Sequence, residues 1–412
     1  MQEIIPTITS LSNGIRVVAL PGNSSVSHLG ITILAGSRNE EKGEEGLAHF
    51  LEHCIFKGTQ KRKSFHILSG LDSVGGELNA YTNKEEICVY ASFTNEYLKR
   101  AIDLVSDISL NATFPEKELV REKEVILDEI NSYLDAPSDR IFDDFEGYLF
   151  PNHPLGNNIL GTKESVLSFT KDSLENYRKK FFIPENIVIS YVGNANVKQL
   201  MKLLERYFGV YQNVGQTKVP ATFENYKAFH VVEKASNFQA HGILGGIAVG
   251  YNNDSRRATA LLLNLLGGPA LNSRLNLNVR EKYGYAYSIE ASFNPYKELG
   301  YWNIYFGCDQ KHLKKSHDLI MKEVKALCEN EISSTQLHRA KVQFKGQIAL
   351  SNESNAGQML SLGKSVLVFG QLDTLAQIYE AIDNTTSKEL LEIANQLFAP
   401  DGVSKLLFEV KE

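Results

Sequence analysis

"GLAHFLEHCIFKGT", residues 46–59, reads as a helix: Leu47, Phe50, Leu51 and Cys54 recur at the spacing of one apolar face, and Glu44 and Glu45 suit its positive N-terminal end. The same stretch carries His49, Glu52 and His53. Positions i and i+4 share a helix face, so the two imidazoles stack on one side with a carboxylate beside them. They are either structural histidines or two ligands of one metal ion. Paired spacing with an intervening glutamate favours the metal.

Upstream, "GIRVVAL" (14–20) and "HLGITILAGS" (28–37) are rich in β-branched residues and read as strands. Downstream, "FHILSGLDSVG" reads as a helix ending at Gly75-Gly76, and 78–94 alternates like a long strand or a strand pair. Helices follow at about 96–111 and 116–134, the second opening after Pro115. A strand at 186–194 and a helix "VKQLMKLLERYF" close this half. Residues 209–229 have no clear period and are the best linker candidate. The order then restarts: a strand at 241–251, helices through "SRRATALLLNLLGG" and "LNSRLNLNVREKYG", strands "YAYSIEASF" and "YWNIYFGCD", and helices from about 312 to 397. A duplicated α+β domain with a period of about 200 residues is the simplest account. The expected division is 1–213, a linker at 214–228, and 229–412.

Composition agrees with a chain of this size. Its 412 residues suit two domains, and 43% hydrophobic with 22% charged residues is ordinary for a globular protein. A net charge of −6 gives no support for nucleic-acid binding. The four cysteines, Cys54, Cys88, Cys308 and Cys328, have no paired spacing, which suggests a reducing compartment. The N-terminus lacks the basic start and apolar core of a signal peptide, and no apolar stretch is long enough to span a bilayer. A cytoplasmic protein with no membrane partner is the expectation. No Walker-type loop and no G-x-S-x-G elbow is present.

A catalytic zinc usually has three protein ligands and one open position. "REKEVILDEI" (121–130) offers the third: Val125 and Ile126 mark an inward face, and Glu122 and Glu129, seven apart, lie on it two turns from each other. Alone, this segment reads better as a solvated, charge-rich helix. The other eight histidines, His312 and His317 included, read as structural or exposed.

H-x-x-E-H is the inverted form of the common H-E-x-x-H zinc motif and marks the inverzincins. With it, nearly the whole chain resembles the pitrilysin family, which includes insulin-degrading enzyme and the mitochondrial and bacterial processing peptidases. The resemblance implies two homologous α+β domains, each a mainly antiparallel sheet packed with helices, forming half of a clamshell. It implies one Zn²⁺ per chain held by His49, His53 and Glu129, with 75 residues between His53 and Glu129. It makes Glu52 the general base and Glu122 the carboxylate that orients a ligand histidine. "GGELNAYTNKEEICVY" (75–90) resembles the family's substrate-edge strand, where Asn79 and Ala80 would line an extended peptide. "NSRLNLNVREKYGYAYSI" (272–289) resembles its other active-site element: Arg280 would hold a substrate carbonyl and Tyr285 would help stabilise the oxyanion, with Tyr283 and Tyr287 as close rivals. "LSNESNAGQMLSLGKSVLVFG" (350–370) has a pattern typical of the second domain. The second half has no H-x-x-E-H. The implied activity is a zinc endopeptidase acting on peptides in a chamber closed by a second copy, a homodimer. The alternative is a catalytically silent binding or presenting subunit of a heterodimer.

Overall fold

The computed structural model describes residues 5–215, 222–224, 226–235 and 238–411. Much of the expected linker, residues 216–221 and 225, and the first four residues, where a leader would be sought, lie outside the described residues.

The chain forms two compact units: Met1–Asn131 with Asn157–Ala221 and Leu350–Leu372, and Ser132–Gly156 with Thr222–Ala349 and Asp373–Glu412. The first holds β1 (Thr7–Ser10), β2 (Arg16–Pro21), β3 (Val26–Ile33), β4 (Glu77–Thr82), β5 (Ile87–Thr94) and β6 (Ile187–Gly193), ordered β1-β2-β6-β3-β5-β4. The second holds β7 (His230–Ala235), β8 (Ala240–Val249), β9 (Ala286–Pro295), β10 (Leu299–Cys308) and β11 (Ser404–Val410), ordered β7-β11-β8-β10-β9. Without β1 the two orders are the same permutation, and each sheet has one parallel pair, β2 with β6 and β7 with β11. The duplication read from element order is therefore a duplication of topology. The stretch at 78–94 is a strand pair, and β4 ends the first sheet as an edge strand.

Both faces of each sheet are covered, so adjacent residues of one strand enter different cores. Val17 of β2 packs with Phe50 and Leu51 of the helix Leu47–Cys54, whereas its neighbour Val18 packs with Val366 and Leu367. In β10, Ile304 and Phe306 serve one core, and Tyr301 and Tyr305 the other with Ile141, Phe145 and Leu149.

The strands divide at the expected linker, but two helical segments do not. The helix Asn355–Phe369 belongs with the first sheet, which corrects its reading as a second-domain element. Glycines permit its close approach: a Cβ on Gly30 would lie 2.4 Å from Met359 Sδ, and one on Gly363 2.9 Å from Ser190 Oγ. Reciprocally, the helix Pro137–Leu149 lies on the second sheet, where a Cβ on Gly245 would meet the Phe145 ring at 2.8 Å. Small residues at these crossings set the helix-to-sheet distance, which helical periodicity does not report. A further difference lies at 272–285, where the regular helix expected becomes a π-helical segment, Asn276–Glu281, ending in Arg280 and Glu281.

Candidate metal centre

The helix Leu47–Cys54 buries Leu47, Phe50, Leu51 and Cys54 completely, as their spacing predicts. This aims the opposite face, with His49 and His53, at the helix Glu116–Leu134. That second helix buries Leu119, Glu122, Ile126 and Ile130. Val125 is 50% exposed, so the inward stripe runs through 119, 122, 126 and 130 rather than through Val125. Glu122 lies within the stripe and Glu129 at its solvent edge.

One ligand atom each from His49, His53 and Glu129 lie within 4.8 Å of one another. The Glu129 Oε2 atom is 3.8 Å from Nε2 of both histidines, too long for a hydrogen bond. Two donors on a tetrahedral zinc at about 2.0–2.1 Å stand about 3.4 Å apart. The spacing therefore suits three donors around a shared cation better than it suits direct contact. Two imidazoles and one carboxylate are also the ligand types of a catalytic zinc site.

The surrounding charges are arranged for this. Glu122 Oε1 is 2.9 Å from His53 Nδ1, which leaves Nε2 facing Glu129. Its other oxygen, Oε2, is 2.6 Å from the Lys57 ammonium. Burial pushes the Glu122 carboxyl up, but His53 and Lys57 outweigh it and hold the group below the ordinary carboxylate range. Burial lowers His53, yet its bond to Glu122 and the nearby Glu129 and Glu52 carboxylates raise it overall. His49, pushed down to about 3 by burial and then by His53, stays neutral, the form that binds metal. Glu52 is raised, first by burial; the Thr82 hydroxyl beside it and His53 oppose the shift. Among the described residues that hydroxyl makes no hydrogen bond of regular geometry. Thr82 is the last residue of β4, so the edge strand ends beside the Glu52 carboxyl. Asn79 and Ala80 lie in that strand opposite Tyr90 and Val89 of β5.

Glu40 had no signal in the sequence. It is 3% exposed, and both its oxygens accept backbone N–H groups of the histidine helix, Gly46 at 3.0 Å and Ala48 at 2.8 Å. Gly46, the N-cap, sits at φ 93 and has no side chain to cap with. Burial pushes the Glu40 carboxyl upward, against the two amides and Lys84. Glu40→Ala is expected to cost about 1–3 kcal/mol by stranding these donors; thermal unfolding of the zinc-free protein measures this.

Arg280 and Tyr285 belong to the second unit. Arg280 is exposed at the end of the π-helical segment, and its carbonyl accepts from Gly284 N at 2.8 Å. Gly284, at φ 64, makes the turn into β9. Tyr285 is more enclosed than Tyr283 or Tyr287, and its ring lies against His312. His312, read from sequence as structural or exposed, is thus in contact with a candidate site residue. Its proximity crosses a strand pair and leaves no trace in local spacing.

A repeated α+β unit in which one copy carries the clustered His, His and Glu donors defines a two-domain peptidase fold. Residues 16–163 match the family model "Insulinase (Peptidase family M16)", and residues 168–344 match "Peptidase M16 inactive domain". The chain is 36% identical over 402 residues, 96% of each chain, to the uncharacterized zinc protease YmxG of Bacillus subtilis. It is 31% identical over 403 residues, 97% of each, to an uncharacterized zinc protease of Rickettsia bellii. A protease from Helicobacter pylori has the same fold, with a TM-score of 0.90 at 20% identity over 98% of this chain and 99% of that one. This chain belongs to the insulinase family, peptidase family M16. Among the described residues, no helix is long and apolar enough to cross a membrane.

Proposed function

We propose that the chain is a zinc-dependent endopeptidase that hydrolyses peptides or unfolded polypeptide segments. His49, His53 and Glu129 would hold one zinc ion, and Glu52 would be the general base. The observation that carries this reading is the convergence of these three donors, with His53 already oriented by Glu122. The naming of the relatives as zinc proteases agrees with it.

Zinc held by these residues would supply Lewis-acid chemistry, polarising a carbonyl and making water more acidic. Glu52 takes the proton of the attacking water and passes it to the leaving amine; a carboxyl raised by burial is suited to both transfers. Glu122 keeps His53 in one tautomer and one orientation, with Lys57 balancing its charge. The outer edge of β4 offers unpaired backbone groups to which a peptide adds as a further strand, running past Asn79 and Ala80 toward Thr82 and Glu52. Such pairing reads backbone, so it selects extended segments and rejects folded ones. Arg280 holds a substrate carbonyl, and the Tyr285 hydroxyl donates to the oxyanion. The chain works as a homodimer in which a second copy closes the chamber.

An internally quenched, unstructured peptide of about ten residues is expected to be cleaved internally, with activity lost to chelator and restored by zinc. Zinc retained without cleavage would favour the silent presenting subunit instead. Sedimentation of a fully active monomer would remove the homodimer.

A further inference from the structure

We propose that Lys57 is a positioning residue that sets how tightly the site holds zinc, by fixing the Glu122 carboxylate against His53; this rests on the metal reading above. Glu122 divides its two oxygens: Oε1 is 2.9 Å from His53 Nδ1, and Oε2 is 2.6 Å from the Lys57 ammonium. A carboxylate tied at one oxygen alone turns easily about its last side-chain torsion, which is broad. Tied at both, it has one orientation, and so does the imidazole it holds. Among the described residues the Lys57 ammonium has no other ion pair or hydrogen bond. Glu122 is buried and Lys57 largely so, which leaves little water to compete for the contact.

The chain on both sides of Lys57 is fastened. Lys57 ends the short 3-10 turn Ile55–Lys57 that continues the histidine helix, and the Ile55 N–H still donates to Leu51 O. Gly58 follows at φ 152, a backbone that favours glycine, and turns the chain away. The Gly58 carbonyl accepts from Thr113 N at 3.0 Å, three residues before the helix of Glu122 and Glu129 begins. The Thr59 hydroxyl donates to Asp107 Oδ2 at 2.7 Å, and Arg62 reaches that oxygen and Asp103 Oδ2, each at 2.6 Å. Asp107 is buried on the helix Leu98–Asn111. Lys57 therefore stands at a fixed junction between the two helices that carry the three donors. Its removal would act in two opposite directions. As a bare charge, an ammonium repels a dication, so losing it would tighten zinc. As the anchor of Glu122, losing it frees His53 and weakens zinc. Anchoring is the larger effect, because the ammonium touches Glu122 directly and reaches Nε2 of His53 only through the carboxylate and the ring.

The test strips the full-length protein of metal and titrates it with zinc alone against a chelating dye. It compares wild type, Lys57→Met, Lys57→Arg, Glu122→Gln and the Lys57→Met/Glu122→Gln double variant. Lys57→Met keeps the length of the side chain without its charge or donors, and is expected to weaken zinc binding about tenfold. Lys57→Arg, which keeps a cation that donates to a carboxylate, should restore most of the loss. The double variant should bind no more weakly than Glu122→Gln alone, because Lys57 acts only through Glu122. It leaves no unpaired buried carboxylate, so this comparison stands even where Lys57→Met folds poorly. Tighter zinc in Lys57→Met would make the lysine a repelling charge and nothing more. Losses that multiply in the double variant, or no rescue by arginine, would make it a structural prop. Each of these overturns the proposal. A weakened Glu122→Gln beside an unimpaired Lys57→Met sinks this inference alone. A wild type that takes up no zinc sinks the metal reading, and the inference with it.

Discussion

Glu52→Gln is expected to lower kcat by about 10²–10⁴-fold, the usual range for a general acid–base group, while zinc content stays at one ion per chain. Glutamine matches the shape of glutamate and keeps an acceptor oxygen, but it cannot take a proton. Glu52 lies on the ligand helix between His49 and His53, and the shared donors come from those histidines and Glu129. The substitution also relieves a buried carboxyl whose pKa is raised, so the variant should be at least as stable as wild type. Peptide turnover, metal analysis and thermal unfolding on one preparation check all three. Zinc lost with activity would make Glu52 a ligand or a structural element instead.

His53→Ala is expected to abolish both zinc binding and cleavage. It removes one of three donors and strands Glu122, whose carboxyl would keep only Lys57 in a site where its side chain is 6% exposed. Glu122→Gln separates these effects. All three donors remain, but the orienting carboxylate is gone, so zinc affinity should fall about 10–100-fold and activity should return at high zinc. Competition against a chelating dye measures the affinities. Wild-type affinity in Glu122→Gln would reduce the His53–Glu122–Lys57 chain to packing.

The contrast between His53 and Glu122 marks where sequence reasoning stops. His49, Glu52 and His53 are legible because one helix turn fixes their relation, whatever the rest of the fold does. Glu122 and Glu129 are legible as a pair for the same reason. Their meeting with the histidines, across the 75 residues between His53 and Glu129, follows from resemblance and not from spacing. Val125 illustrates the limit: as an apolar residue in the right segment it reads as inward, but the neighbouring stripe of Leu119, Glu122, Ile126 and Ile130 takes the buried face. Glu40 leaves no signal because it caps a helix six residues on, across a turn-forming loop with no periodic pattern. Lys57 had a faint signal, four residues after His53, but the regular helix ends at Cys54.

Sequence by itself determined the local and the repeated: which residues share a face, where strands alternate, and that one order of elements occurs twice. Those follow from backbone geometry with periods of two and about 3.6 residues, set within a few turns of chain. Only the tertiary structure decided which sheet receives the helix Asn355–Phe369, which carboxylate caps the histidine helix, and which ring lies against Tyr285. Each depends on close packing between segments far apart in sequence, where a glycine's missing Cβ or a single buried amide settles the outcome.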